Sequence, residues 1–148
     1  IPPLVGWAAV TGELSLLAWC LFGLVFVWTP VHFWALALMI KEDYRNVGVP
    51  MAPIVIGDRA TVMQMVMYAV LTVALTIIPF VMHEMSVVYV IAALLLNVVL
   101  ALRLFRLYKV VAAGERVDRR TALPLYLYSM SYLALIFVAM AVDRMLFA

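Results

Sequence analysis

The sequence has few charged residues and a single cysteine. Only 12% of its 148 residues are Asp, Glu, Lys or Arg, whereas 69% are hydrophobic. A soluble globular protein of this length needs far more polar surface. The composition therefore excludes a soluble protein and predicts an integral membrane protein. Cys20 lies within an apolar run, so we expect it to be a buried, unpaired thiol.

Short catalytic and nucleotide-binding motifs are also absent. The sequence contains no GxGxxG, no GxxxxGK[ST], no paired CxxC and no GxSxG. Nucleotide-binding, zinc-binding and serine-hydrolase functions therefore have no support in the sequence. The opening residues also lack the basic region and the cleavage site of a signal peptide.

Four long apolar stretches are present, at residues 14–40, 61–82, 87–102 with an amphipathic extension to 111, and 123–142. About 20 apolar residues cross a bilayer as a helix, and these stretches lack the alternation of barrel strands. The sequence therefore predicts an all-α, polytopic transmembrane helix bundle with four full spans, in one membrane domain covering residues 1–148. The opening string IPPLVGWAAVTG is expected to be the end of a fifth span.

Positive charge marks two connections between the predicted spans. Nine of the ten lysines and arginines lie in residues 41–60 and 103–122, whereas the connection 83–86 has none. The positive-inside rule therefore predicts that both basic connections are cytoplasmic and that both chain ends face outward. The net charge of +2 follows from this topology and gives no support for nucleic-acid binding.

The connection 41–60 is longer than most helix connections, so it is expected either to bind something or to be disordered. It is rich in apolar residues, and its bends are fixed by Gly48, Pro50, Pro53 and Gly57. Since apolar content favours packing, we expect an ordered cytoplasmic cap over a cavity. Residues 41–46 are expected to form a short helical turn, and Asp58 or Thr61 to cap the next helix.

His32 is the first candidate for a functional side chain. It lies about 12 Å inside the end of the first predicted span. An imidazole at that depth indicates either a functional group or an interhelical hydrogen bond. Pro30 should open the helix backbone nearby. Trp28 shares a helix face with His32, where it could line an isoprenoid channel, pack against other residues or face lipid.

A charged cluster follows the first predicted span and consists of Lys41, Glu42, Asp43, Tyr44 and Arg45. Carboxylates at a membrane rim can hold Mg²⁺ against a diphosphate, while Lys and Arg bind its oxygens directly. The alternative is a solvated run of charges next to the membrane. The long connection behind the cluster favours a functional site.

These motifs resemble the carboxyl-terminal half of the haem-farnesylating members of the UbiA superfamily of intramembrane prenyltransferases. The resemblance covers the whole sequence, and its specific parts are IPPLVGWAAVTG, WTPVHFWALAL, KEDYRNVGVPMAPIVIG and SYLALIFVAMAVDRM. The family pattern usually reads W-T-P-P-H-F-W, followed by K-x-D-Y and G-V-P-M-L-P. Here Val31 replaces the second proline and Ala52 the leucine, and neither change removes a charged group.

The resemblance implies a nine-helix bundle in a bacterial inner membrane, of which this chain would hold the end of the fifth helix and the sixth to ninth. It also implies Mg²⁺ as cofactor and transfer of a farnesyl group from farnesyl diphosphate to a vinyl group of haem b, giving haem O. By this analogy Lys41 contacts the diphosphate, Asp43 is a metal-side or water-bridging carboxylate, and Tyr44 orients the site.

Further substrate contacts follow from the same resemblance. Arg45 or Arg59 is expected to be an additional phosphate partner. His32 and Trp28 are expected to face the cavity that receives haem. In this interpretation the chain supplies the second, degenerate diphosphate site of the family.

One family feature is missing, since the N-D-x-x-D-x-x-x-D motif occurs nowhere in the sequence. In the family that motif supplies most of the metal ligands. We therefore expect the chain to be inactive alone and to need an amino-terminal half as its partner. The alternatives are a UbiA-type enzyme with a quinone-type acceptor, a transporter helix bundle and a non-catalytic membrane subunit.

Overall fold

The computed structural model describes residues 1–147, which form six helices. In chain order the helices are α1 Pro2–Thr11, α2 Leu16–Asn46, α3 Ala52–Val55, α4 Gly57–Val81, α5 Val87–Ala112 and α6 Arg119–Phe147. The predicted domain 1–148 extends one residue beyond this described part.

Four of these helices, α2, α4, α5 and α6, have the length and apolar composition of membrane spans. The chain is therefore an integral membrane protein, and the predicted all-α bundle with four full spans is confirmed. The shorter α1 has 10 residues and precedes the first span, where the end of a further helix was expected.

The four long helices form a closed ring. Helix α2 packs against α4 and α6, and α5 packs against the same two helices. Helix α1 lies on α2, and α3 bridges α2 and α4. The core of the ring is made by large apolar side chains that are almost fully buried, among them Leu24, Val31, Met65, Leu100, Leu125 and Ile136.

Polar side chains also connect the spans inside this apolar core. Asn97 Nδ2 donates to Thr76 Oγ1 at 2.9 Å, and the Tyr132 hydroxyl donates to Asn97 Oδ1 at 2.7 Å. Buried polar groups within a membrane need such partners because lipid offers none. Asn97 on α5 therefore links α4 to α6.

Two predictions about helix ends are wrong. Residues 41–46 are not a separate turn, because α2 continues without a break to Asn46. Helix α4 begins at Gly57 with Ile56 at its N-cap position, so neither Asp58 nor Thr61 caps it. The Asp58 carboxylate instead accepts hydrogen bonds from Lys41 and from the Val117 N–H, and the Thr61 hydroxyl donates to the Gly57 carbonyl at 2.9 Å.

Candidate functional site

The residues predicted to be functional lie on two neighbouring helices, α2 and α6. We call the surface between residues 28–43 of α2 and residues 116–129, which lead into α6 and form its start, the α2–α6 seam. His32 lies at a middle level of this seam, and Asp43 lies at its charged end. His32 and Asp43 are eleven residues apart, which places the two levels about 16 Å apart along α2.

His32 is held between aromatic rings and a hydroxyl. Its ring stacks on Trp28 with centroids 4.7 Å apart and on Tyr126 with centroids 5.0 Å apart. Its Nδ1 lies 2.7 Å from Ser129 Oγ. The interhelical hydrogen bond that the sequence left open as an alternative is therefore present, and it fixes the plane of the imidazole.

The hydrogen-bond directions define the tautomer of a neutral His32. The Ser129 hydroxyl donates its only hydrogen to the Tyr126 carbonyl at 2.7 Å. With that hydrogen on the Tyr126 carbonyl, the matching tautomer of His32 carries its proton on Nδ1, which then donates to Ser129 Oγ. The second ring nitrogen, Nε2, then carries the lone pair, and within residues 1–147 it has no hydrogen-bond partner. His32 is half-buried, so this nitrogen is available to a ligand.

Trp28 is hydrogen-bonded to Ser129 of α6 as well. Its Nε1 donates to the Ser129 carbonyl at 3.0 Å, so the side chain and backbone of Ser129 hold two neighbouring rings. Trp28 is partly buried against the core, as expected for a packing residue. Its stacking on His32 makes it part of the wall of the site as well.

A cavity of about 340 Å³ lies at the charged end of the seam, and we call it the rim cavity. Its charged lining residues are Lys41, Glu42, Asp43, Arg116, Asp118 and Arg119. Asp43 is exposed, and within residues 1–147 its carboxylate has neither an ion pair nor a hydrogen bond. It is therefore free to bind a ligand.

Lys41 contributes to the rim cavity in a way that its sequence position does not reveal. It is only 4% exposed although it follows the apolar part of α2, and its ammonium group pairs with Asp58. Direct contact between Lys41 and a diphosphate remains a prediction. The ion pair with Asp58 occupies one of the three N–H donors of the ammonium group.

The other predicted substrate contacts lie outside the rim cavity. Arg45 pairs with Glu42 at 2.9 Å, and both side chains are exposed. Tyr44 and Arg59 are exposed and do not line the cavity. The structure therefore brings Asp43 and Lys41 together in one cavity and leaves these three residues around it.

Asp118 has a structural role at the start of α6. Its carboxylate accepts hydrogen bonds from the Thr121 hydroxyl and, at 2.8 Å, from the Thr121 N–H. These hydrogen bonds lower the pKa of Asp118 below its ordinary value because they stabilise the charged form. Asp118 is thus occupied as a helix cap while it lines the cavity.

The described residues do not provide a complete Mg²⁺ site. Within residues 1–147, no group of three or more His, Cys, Asp or Glu residues lies close enough to bind a metal ion. Asp43 therefore fits one ligand position at most. A complete metal site would need donors from outside the described residues.

Sequence reasoning missed four contributors to the seam: Tyr126, Ser129, Arg116 and Arg119. Ser129 lies 97 residues from His32, so no local pattern connects them. The two arginines were interpreted only as markers of topology. Their position beside Asp43 depends on how the connection before α6 folds back onto α2.

Comparison with known proteins finds a matching family model and several similar proteins. Residues 1–127 match the model of the UbiA prenyltransferase family. A protoheme IX farnesyltransferase from Thermus thermophilus is 61% identical over 97% of this chain, which corresponds to 22% of that relative. Proteins of the same name from Deinococcus radiodurans and a Nostoc species are 55% and 48% identical, with 46% and 44% of their lengths covered. The chain thus spans less than half of these relatives, and no solved structure matches it.

Proposed function

The chain belongs to the UbiA prenyltransferase family, and from this premise we propose that it forms part of an enzyme that transfers a farnesyl group from farnesyl diphosphate to haem b. The product is haem O, and haem b is a substrate rather than a cofactor. Relatives named as protoheme IX farnesyltransferases match nearly the whole chain, which supports this acceptor over a quinone or a transported solute. The chain would act together with the part of those relatives that it does not span.

The observation that carries the proposal is the order of groups along the α2–α6 seam. Charged residues line the rim cavity at one end, and His32 lies about three helical turns deeper than Asp43, between aromatic rings. A prenyl diphosphate needs a polar site for its head and an apolar path for its tail, and haem needs a flat pocket beside that path. The seam provides one wall with this order.

At the rim, Asp43 acts as a metal-side or water-bridging carboxylate, and Lys41 supports the diphosphate site through its ion pair with Asp58. Tyr44 orients this site, and Arg45 or Arg59 is a further phosphate partner. When bound, Mg²⁺ would neutralise charge on the departing diphosphate. Asp43 would hold one side of that ion, together with donors from outside the described residues.

Deeper in the seam, His32 faces the haem. A histidine that binds a metal usually donates its other ring N–H to a fixed acceptor, and Ser129 provides that acceptor here. Nε2 is then oriented to ligate the haem iron. Trp28 and Tyr126 hold the imidazole plane from both sides.

The reaction follows from ionisation of the allylic carbon–oxygen bond, in which diphosphate leaves with the bonding electrons. The farnesyl carbon then bonds to the terminal carbon of a haem vinyl group. Water adds to the resulting cation, and loss of a proton leaves the hydroxyl group of haem O. Positive groups at the rim stabilise the leaving diphosphate. The aromatic faces of Trp28 and Tyr126 stabilise the positive charge that develops on the isoprenoid.

The bilayer is the remaining partner, and we propose a bacterial inner membrane with the connections 41–60 and 103–122 on the cytoplasmic side. In support, the Asp58 carboxylate joins Lys41 to the Val117 N–H, so both connections meet at one end of the bundle. Cysteine labelling from either side of inverted vesicles tests this orientation.

The experiment that tests the function is reconstitution of the full-length protein in liposomes with haem b and farnesyl diphosphate. Mass spectrometry should detect a farnesylated, hydroxylated haem that depends on both substrates. Uptake of a substrate without formation of this product would instead support the transporter alternative.

A further inference from the structure

A buried ion pair fixes the connection between α5 and α6. The side chains of Lys41 and Asp58 are 5% and 13% exposed, and Asp58 Oδ2 also accepts a hydrogen bond from the Val117 N–H at 2.8 Å. Breaking a buried pair by removing one partner is costly because it leaves an uncompensated charge. The pair therefore holds three segments together: the end of α2, the start of α4 and the residues before α6.

Val117 fixes the connection between α5 and α6, because its side chain is buried in the core and its N–H binds Asp58. Arg116 precedes it and Arg119 begins α6, and both arginines line the rim cavity opposite Asp43. Within residues 1–147, neither guanidinium has a carboxylate within salt-bridge distance. The position of both arginines thus depends on the Asp58 bond to the Val117 backbone.

The acidic residues of the cavity leave these arginines available. Glu42 is paired with Arg45, and Asp118 is bonded to Thr121. A guanidinium group offers a planar fork of N–H donors that matches two phosphate oxygens. Two arginines that have no ion pair within residues 1–147 share this cavity with one free carboxylate, which suits a phosphate group, bound directly or beside a bridging cation.

We propose that Arg116 and Arg119 bind phosphate oxygens in the rim cavity, and that Lys41 positions them through Asp58 rather than binding the phosphate itself. This inference rests on the proposed function for the identity of the ligand, which would be the diphosphate of the prenyl donor. A lipid headgroup offers the same phosphate chemistry, and the experiment separates the two sources.

The experiment measures binding of inorganic pyrophosphate by calorimetry to the full-length protein in phosphatidylcholine nanodiscs. Arg116→Gln and Arg119→Gln should each weaken binding about tenfold, since each removes a charge-assisted hydrogen bond. Arg120→Gln is the matched control, because Arg120 is exposed at the same helix end but does not line the cavity. It should change the affinity by less than about twofold.

Lys41 is tested with a double-mutant cycle. If Lys41 acts through the arginine connection, Lys41→Met combined with Arg116→Gln should weaken binding little more than the stronger single change. Losses that multiply in the double variant would overturn the positioning role. Circular dichroism of each variant checks that the helices are retained.

The nanodisc composition identifies the source of the phosphate. If adding phosphatidylglycerol displaces pyrophosphate from the wild type but not from Arg116→Gln, the site also accepts lipid headgroups. Pyrophosphate binding that is equal in the wild type and both arginine variants, in either lipid, would overturn the inference. Because this assay needs no turnover, it gives a result even if haem farnesylation is not observed, so failure of the proposed function is recognised separately.

Discussion

A hydrogen bond of 2.7 Å joins His32 Nδ1 on one membrane helix to Ser129 Oγ on another. Since the Ser129 hydroxyl itself donates to the Tyr126 carbonyl, this contact fixes which imidazole nitrogen is free. This hydrogen bond links the packing of α2 on α6 to the proposed chemistry of His32. Substitutions of Ser129 and His32 can therefore distinguish a packing role from a chemical role.

Replacing Ser129 by alanine should remove the acceptor of His32 while keeping the backbone carbonyl that binds Trp28. We expect the rate of haem O formation by the full-length protein to fall about tenfold, in the range typical for residues that orient a metal ligand. Ser131→Ala is the matched control on the same helix, because the Ser131 hydroxyl bonds only to its own helix backbone. Equal rates for both variants would contradict the orienting role.

A substitution of His32 should distinguish the role of Nδ1, which bonds to Ser129, from the role of Nε2, which is proposed to bind haem. Asparagine can still donate to Ser129 but has no group in place of Nε2, so His32→Asn should keep the fold and lose haem affinity by about tenfold or more. Absorbance titration with haem b in detergent measures this affinity. An unchanged Soret band and unchanged affinity in His32→Asn would show that Nε2 does not bind the haem.

The fold was largely predictable because apolar runs of sufficient length have few alternatives in a membrane. The helix ends were less predictable. Asp58 has the residue type and position of a helix cap, yet it binds Lys41 and the Val117 backbone, and those partners lie 17 and 59 residues away. The choice between these partners is made by tertiary packing, which a single sequence does not display.

The candidate site was predictable in part: the sequence identified the functional residues of α2 but not their partners on other segments. Local strings identified His32 because a polar group at membrane depth is costly, and Lys41 and Asp43 because charged groups at the rim can bind a diphosphate and its metal ion. Their partners were not identified, since Ser129 and Arg116 lie on segments that approach α2 only in the folded bundle. The burial of Lys41 was likewise not visible, because a lysine at the end of a span usually extends into water.

Asp143 should be important for stability at the opposite end of the bundle. Asp143 is 2% exposed, and its carboxylate accepts hydrogen bonds from the Ser86 hydroxyl, the Ser86 N–H at 2.8 Å and the Tyr89 N–H at 3.2 Å. Asp143→Ala should therefore lower the free energy of unfolding by about 1–3 kcal/mol, measured by detergent-induced unfolding of the full-length protein.

The neighbouring ion pair serves as the control for that measurement. Arg144 pairs with Glu84, and the two side chains are 46% and 41% exposed. Arg144→Ala should cost less than about 1 kcal/mol because exposed pairs are screened by water. A larger effect from Arg144→Ala than from Asp143→Ala would contradict this assignment.

Asp118 should make the start of α6 sensitive to acid. Its pKa is lowered in the folded chain by the hydrogen bonds from Thr121, so its contribution is present above the unfolded value and is lost as pH falls through the folded value. The window therefore lies below the ordinary pKa of 3.8. Hydrogen exchange at the Thr121 amide should accelerate there relative to amides in the middle of α6, and Asp118→Asn should remove this pH dependence.

The central claim is that the α2–α6 seam forms one wall of a haem-farnesylating site, with Asp43 at its rim. The most direct measurement is the turnover of farnesyl diphosphate and haem b to haem O by the full-length protein, comparing Asp43→Asn with Glu115→Gln. Glu115 is exposed near the same end but does not line the rim cavity. The account predicts a loss of roughly 10- to 100-fold for Asp43→Asn and little change for Glu115→Gln; undiminished turnover in Asp43→Asn would contradict it.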